Sequence, residues 1–99
     1  MVALQRPDLY VVVRLLEKVR ASERPMNRTQ LQIASGMNYS QFERYLELAE
    51  RRGLLTLVDG GSGAVLVRLT PKGYDSLMFL VRGLRDVLGT DLAVLRDYR

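Results

Sequence analysis

The sequence predicts a mainly helical α+β domain, on three observations. Two consecutive segments each open on an asparagine followed three residues later by a glutamine, and each closes on a glycine. These are Asn27–Gln30 to Gly36 and Asn38–Gln41 to Gly53. That pairing supplies a side-chain acceptor for the free amides at a helix start and a residue tolerant of positive φ at its end. Directly afterwards, two runs rich in strand formers flank Asp59-Gly60-Gly61-Ser62-Gly63, which is turn chemistry. Thr70-Pro71 then offers an N-cap and a first-turn proline, and apolar residues recur beyond it at steps of three and four.

The first element spans the residues from Pro7 to about Arg20, with Pro7 in the first helical position and Asp8 in the first turn. Leu9, Val12, Leu16 and Val19 fall on one helical face. The run Leu9–Val13 also suits a strand, but Arg14, Glu17, Lys18 and Arg20 continue the helical pattern beyond it. Ala21 to Met26 reads as a turn, with Pro25 closing off the first helix. The second helix carries Leu31, Ile33 and Ala34 as its apolar members. The third carries Phe42, Tyr45, Leu46 and Ala49, with Arg51 and Arg52 favourably placed at its end. Leu54–Val58 and Ala64–Leu69 form the hairpin. In the final helix Tyr74, Leu77, Val81, Leu84 and Leu88, then Leu95 and Tyr98, follow a heptad-like seam in which Asp91 is the misfit. Gly83 and Gly89 weaken this helix, and Gly89-Thr90-Asp91 offers a break with Thr90 as a new cap.

A short capped helix, a tight glycine turn and a longer capped helix make a helix-turn-helix, and the hairpin behind it makes a wing. The order is that of a winged helix-turn-helix: three helices, a two-stranded wing and a long C-terminal helix. The division expected is a winged domain over residues 1–73 and a C-terminal helical segment over residues 74–99. An αα-hairpin within an unrelated helical domain shares the first part of the pattern but not the hairpin that follows.

Composition narrows the chemistry. Fifteen Lys+Arg against eleven Asp+Glu give a net charge of +4 and a basic pI, which suits a polyanionic partner. Lys18 and Lys72 are the only lysines, so the cations are overwhelmingly arginine. Arginine favours bidentate contacts to phosphates and base edges, although GC-rich coding produces the same bias. Without Cys or His there are no thiols, disulfides, imidazole bases or ordinary zinc sites. The acids are scattered singly, and no hydroxyl, carboxylate or lysine stands in a recognisable nucleophile–base arrangement. No catalytic residue, metal or cofactor is therefore expected. The N-terminus has no signal-peptide pattern, and no apolar run is long enough to span a bilayer. The expectation is a soluble cytoplasmic protein.

On its motifs the sequence resembles archaeal winged-helix DNA-binding proteins that end in a long dimerising helix. The resemblance rests on Arg28-Thr29 entering the turn and on Met37-Asn38-Tyr39-Ser40-Gln41 with Tyr45-Leu46 and Gly53-Leu54-Leu55. Thr70-Pro71-Lys72-Gly73 after the wing completes it, and the motifs cover roughly residues 9–82. It implies double-stranded DNA as partner, with a recognition helix of about 38–52, and a homodimer. Departures are Asn38 in place of the more usual Ser or Thr cap, and a wing tip without a cation beside acidic Asp59.

With Phe42, Tyr45, Leu46 and Ala49 turned inward, Tyr39, Ser40, Glu43, Arg44 and Glu47 point outward, where such a helix meets the major groove. Arg44 is the candidate for a guanine edge or phosphate, and Tyr39 and Ser40 supply positioning hydroxyls. Arg28 is placed to reach backbone phosphate with the free amides beside it. Thr29, Asn38, Arg51 and Arg68 complete the candidate DNA contacts. Glu43 and Glu47 would repel phosphate unless one accepts from cytosine, and Glu47–Arg51 is a favourable i,i+4 pair. Tyr45 and Tyr74 read as core. Leu77, Val81, Leu84, Leu88 and Leu95 are the candidate dimerisation residues. The leading expectation is a transcriptional regulator or a DNA-organising protein. The alternative is a winged-helix protein-interaction module in a larger assembly, which the near-neutral recognition helix and cation-free wing also suit.

Overall fold

The computed structural model describes residues 7–89. Helix α1 (Leu9–Ala21) begins two residues later than the proline suggested, because the Asp8 carboxylate is the N-cap, accepting from the amides of Tyr10 at 2.9 Å and Val11 at 3.4 Å. Its buried side chains, Val11, Val13, Leu15 and Leu16, cover more than the single stripe predicted, and Leu9 is exposed. The reason is tertiary: α1 contacts α2, α4 and strand β3, so it is covered on several sides. The β-branched run Val11–Val13 is thus helical, with burial outweighing its strand propensity. Glu17 was expected on the charged face but is only 2% exposed. Arg20 meets it with two bonds of 2.7 Å, which raise the Arg20 pKa above its ordinary value.

The segment read as a turn ends in a two-residue strand, β1 (Met26–Asn27), too short to leave a periodic signal. Helix α2 (Arg28–Ser35) follows, with both halves of the Asn27/Gln30 capping box formed and Gly36 at φ 73° closing it. Leu31 and Ser35, four apart, are its buried residues. Ile33 and Ala34, grouped with Leu31 as the apolar members of this helix, lie round it from the buried pair and are exposed, Ile33 at 74%. Helix α3 (Tyr39–Arg51) is capped by Asn38, whose side chain accepts from the Gln41 amide at 2.8 Å. The expected return bond from the Gln41 side chain is not formed. Phe42, Tyr45, Leu46 and Ala49 are buried, as their spacing required. The Tyr45 hydroxyl accepts from the Asp8 amide at 2.8 Å, tying the start of α1 to α3.

Strands β2 (Leu55–Asp59) and β3 (Val65–Leu69) form the antiparallel hairpin in the register Leu55↔Leu69 to Asp59↔Val65. With β1 they make a three-stranded sheet of order β1-β3-β2. The Asp59 carboxylate accepts from the Gly61 amide at 2.9 Å, so this acid holds the wing turn. Helix α4 (Pro71–Leu88) starts on Thr70 as N-cap and stops where Gly89 turns left-handed and donates to the Arg85 carbonyl. The break foreseen at Gly89 is therefore the end of this helix. Tyr74 is 48% exposed, contrary to its reading as core.

The segment Thr70-Pro71-Lys72-Gly73 is a structural clasp. The Thr70 hydroxyl donates to the Gly53 carbonyl at 2.6 Å and is 3.1 Å from that of Leu54. Lys72 Nζ donates to the Arg52 carbonyl at 2.6 Å. Gly73 is buried so close to the chain that a Cβ there would stand 2.0 Å from the Leu54 carbonyl oxygen. The end of α3 is thereby locked to the start of α4, which fixes how α3 projects from the core.

Candidate nucleic-acid interface

The surface of α3 follows from its amphipathic spacing. Once Phe42, Tyr45, Leu46 and Ala49 face the core, Ser40, Arg44, Glu47 and Arg51 share a single solvent stripe at steps of four, three and four. All four are exposed, as is Tyr39, at 66%. The stripe begins at the capped end of the helix, where Asn38 has its oxygen committed to the Gln41 amide and its amide nitrogen left for other acceptors.

One flank of α3 leans on α2. Arg28 reaches across to Glu43 with one guanidinium nitrogen against both carboxylate oxygens, and this hydrogen bond raises the Arg28 pKa. Glu50 adds electrostatic attraction to the same guanidinium. Arg28 therefore does not stand free for phosphate, as its place at the start of α2 suggested; its charge is directed at Glu43. Thr29, next to it, is exposed in the first turn of α2. Sequence spacing pointed instead to a Glu47–Arg51 pair, and among the described residues no such ion pair forms. The true partner of Glu43 is fifteen residues away on another helix, and no spacing rule signals a helix crossing of that kind.

Arg28, Glu43, Arg44, Leu46, Glu47 and Glu50 line one shallow depression of about 240 Å³. Its two arginines face three glutamates, and with Arg51 further along α3 the outer face of α3 and the start of α2 balance Arg28, Arg44 and Arg51 against Glu43, Glu47 and Glu50. Arg68 is not among this group. It lies near the base of the hairpin, paired with Thr56 across the sheet, and lines a separate groove with Arg20 and Arg24. The wing tip itself holds Gly60–Gly63 and no cation. The structure thus brings Arg28, Tyr39 and Arg44 together around one face, with Ser40 and Arg51 on the same helix. It leaves Arg68 elsewhere.

The candidate dimerisation residues divide as well. Leu77 and Val81, at 0% and 4% exposure, are buried in the chain's own core, because the first turns of α4 pack on α1. That removes both from the outer seam in which the heptad spacing placed them. Leu84 is half-buried against the same core, and Leu88 is 53% exposed. Leu95 lies outside the described residues.

No protein-family model and no curated protein sequence matches the chain. Solved structures do. The transcriptional regulator BldR from Sulfolobus solfataricus superposes with a TM-score of 0.69 at 22% identity, over 91% of this chain and 63% of its own. The PcaV transcriptional regulator from Streptomyces coelicolor, solved with its natural ligand, gives 0.62 at 18% identity, over 91% of this chain and 67% of that one. A MarR family regulator from Rhodococcus sp. RHA1 gives 0.59 at 19%, over 86% and 64%. The fold is the winged helix of such regulators, as the sequence predicted. This chain spans about two thirds of their length. Among the described residues no helix is long and apolar enough to cross a membrane.

Proposed function

We propose that the chain binds double-stranded DNA through α3 in the major groove and regulates transcription in the cytoplasm as a homodimer paired through the outer part of α4. The observation that carries this reading is the exposed stripe Ser40, Arg44, Glu47 and Arg51 on a capped helix, held outward by the clasp at Thr70–Gly73. Arg44 is the base-edge or phosphate contact, and Arg51 meets the backbone further along. The Tyr39 and Ser40 hydroxyls and the Asn38 amide nitrogen position the helix end. Thr29 and the first amides of α2 meet a phosphate beside it. Glu47 accepts from a cytosine amino group, and Glu43 holds Arg28 in place.

Because the face has no net charge, nonspecific attraction is weak and binding depends on fit to particular base pairs. That favours a sequence-specific regulator over a general organiser of DNA, which needs phosphate neutralisation and little base readout. The test is selection of bound duplexes from a random-sequence library by the full chain. Enrichment of a defined motif that Arg44→Ala abolishes supports the reading; no enrichment over repeated rounds removes it. The same charge balance and the cation-free wing tip support a second reading, a module that docks on another protein. Failure of selection together with no salt-sensitive DNA binding would favour that one.

A further inference from the structure

The sheet has an open edge at the base of the hairpin. Thr70 donates to the Leu54 carbonyl at 3.1 Å, and Gly60 to the Ala64 carbonyl at 2.8 Å. In the register of β2 and β3, these bonds turn the backbone groups of even-numbered β3 residues toward β2 and those of odd-numbered ones toward β1. Val67 accordingly meets Met26, but Leu69, the next in line, has no strand beside it. Carried back two residues, β1 would set Arg24 opposite Leu69. Instead residues 23–24 form a bend in which the Ser22 hydroxyl donates to the Arg24 carbonyl. The Leu69 amide and carbonyl are left without a hydrogen bond to any other described residue.

The bend and β3 enclose a groove of about 310 Å³ whose lining defines the occupant. Val19, Met26 and Leu69 line it as half-buried apolar residues. Three arginines, Arg20, Arg24 and Arg68, stand around it against one acid, Glu23. Arg20 is held by Glu17, whereas Arg24 and Arg68 are exposed and have no ion pair among the described residues. We infer that this groove receives an extended acidic segment of a protein partner, which adds to the sheet at Leu69 while its carboxylates meet Arg24 and Arg68. Alternate side chains of such a segment fall on opposite faces of the sheet. Its apolar residues cover Val19 and Met26 on the inner face, and its acids reach Arg68 on the outer one. A DNA phosphate needs neither an apolar lining nor a free strand edge. The groove also lies about 13 Å along β3 from the turn end of the hairpin, away from the wing tip. The contact goes beyond the proposed function and holds whether or not α3 binds DNA.

The probe is a fluorescein-labelled peptide of alternating glutamate and valine, titrated with the full chain and followed by fluorescence anisotropy. The expected result is saturable binding that Arg24→Ala/Arg68→Ala weakens about tenfold or more, since each carboxylate contact is charge-assisted. Circular dichroism of the double variant should be unchanged, because both side chains are exposed and unpaired. In an antiparallel addition the residue facing Leu69 shares its inner face and is therefore a valine. A peptide N-methylated at its valines keeps every side chain but loses those amides, and should bind about tenfold more weakly or worse. A random-sequence duplex should not displace the peptide. Absence of binding, or binding that Arg24→Ala/Arg68→Ala leaves unchanged, would overturn the contact. Equal binding of the N-methylated peptide would overturn strand addition, and displacement by the duplex would overturn the protein partner in favour of a phosphate site.

Discussion

At the scale of single residues, Gly73, Arg20 and Arg44 carry the clearest consequences. Gly73 has no room for a methyl group, since its Cβ position overlaps the Leu54 carbonyl oxygen and lies 2.9 Å from a Leu69 methyl. Gly73→Ala should therefore destabilise the fold by about 3 kcal/mol, the upper end for overpacking. Thermal unfolding followed by circular dichroism checks this, and a shift of only a degree or two would mean that α4 moves freely away from Leu54 and Leu69. Arg20 neutralises the buried Glu17 carboxylate from a partly exposed position. Arg20→Ala should cost about 2 kcal/mol, less than for a fully buried pair because water can reach the carboxylate once the arginine is gone. Arg20→Ala/Glu17→Gln should recover part of that loss in chemical denaturation. Arg44 stands exposed with no ion pair among the described residues, so Arg44→Ala should leave stability within about 0.5 kcal/mol of wild type. On the proposed function its effect falls on DNA binding.

At the scale of elements, the helices and hairpin were legible because each has a local cause. Asn27 and Asn38 cap their helices, Gly36 and Gly89 end theirs in left-handed turns, and Asp59 to Gly63 forces the hairpin reversal. The amphipathic spacing of α3 was legible for the same reason, and with it most of the outward face. What the sequence did not disclose depends on what lies across from an element. The burial of α1 on several sides, the exposure of Ile33, the use of Leu77 and Val81 in the core and the Arg28–Glu43 pair are all products of helix packing. The motif Thr70–Gly73 was visible as a resemblance, but its work as a clasp on the carbonyls of residues 52 to 54 was not. The two asparagine caps give a prediction at this scale. Asn27→Ala and Asn38→Ala each lose one side-chain cap bond, but the residue 27 amide still donates to the Gln30 side chain, so each should cost about 1 kcal/mol, with Asn38 the larger. Urea denaturation of both variants ranks them.

At the scale of the whole molecule, a winged-helix fold carries a proposed DNA-reading face without net charge. Of its cations, Arg44 and Arg51 point to solvent along α3, while Arg28 is directed at Glu43. Two phosphates neutralised per protomer imply a salt slope, log K against log salt, of about −2 per protomer and about −4 for a dimer. The decisive experiment is fluorescence-anisotropy binding of the full chain, beside Arg44→Ala, to the duplex enriched by selection, over a salt series. The account predicts binding that weakens with about that slope, and an Arg44→Ala variant that is folded, binds more weakly and has a slope reduced by about one per protomer. Absence of binding at low salt, or binding that Arg44→Ala leaves unchanged, would contradict the assignment of α3 as the DNA-reading helix.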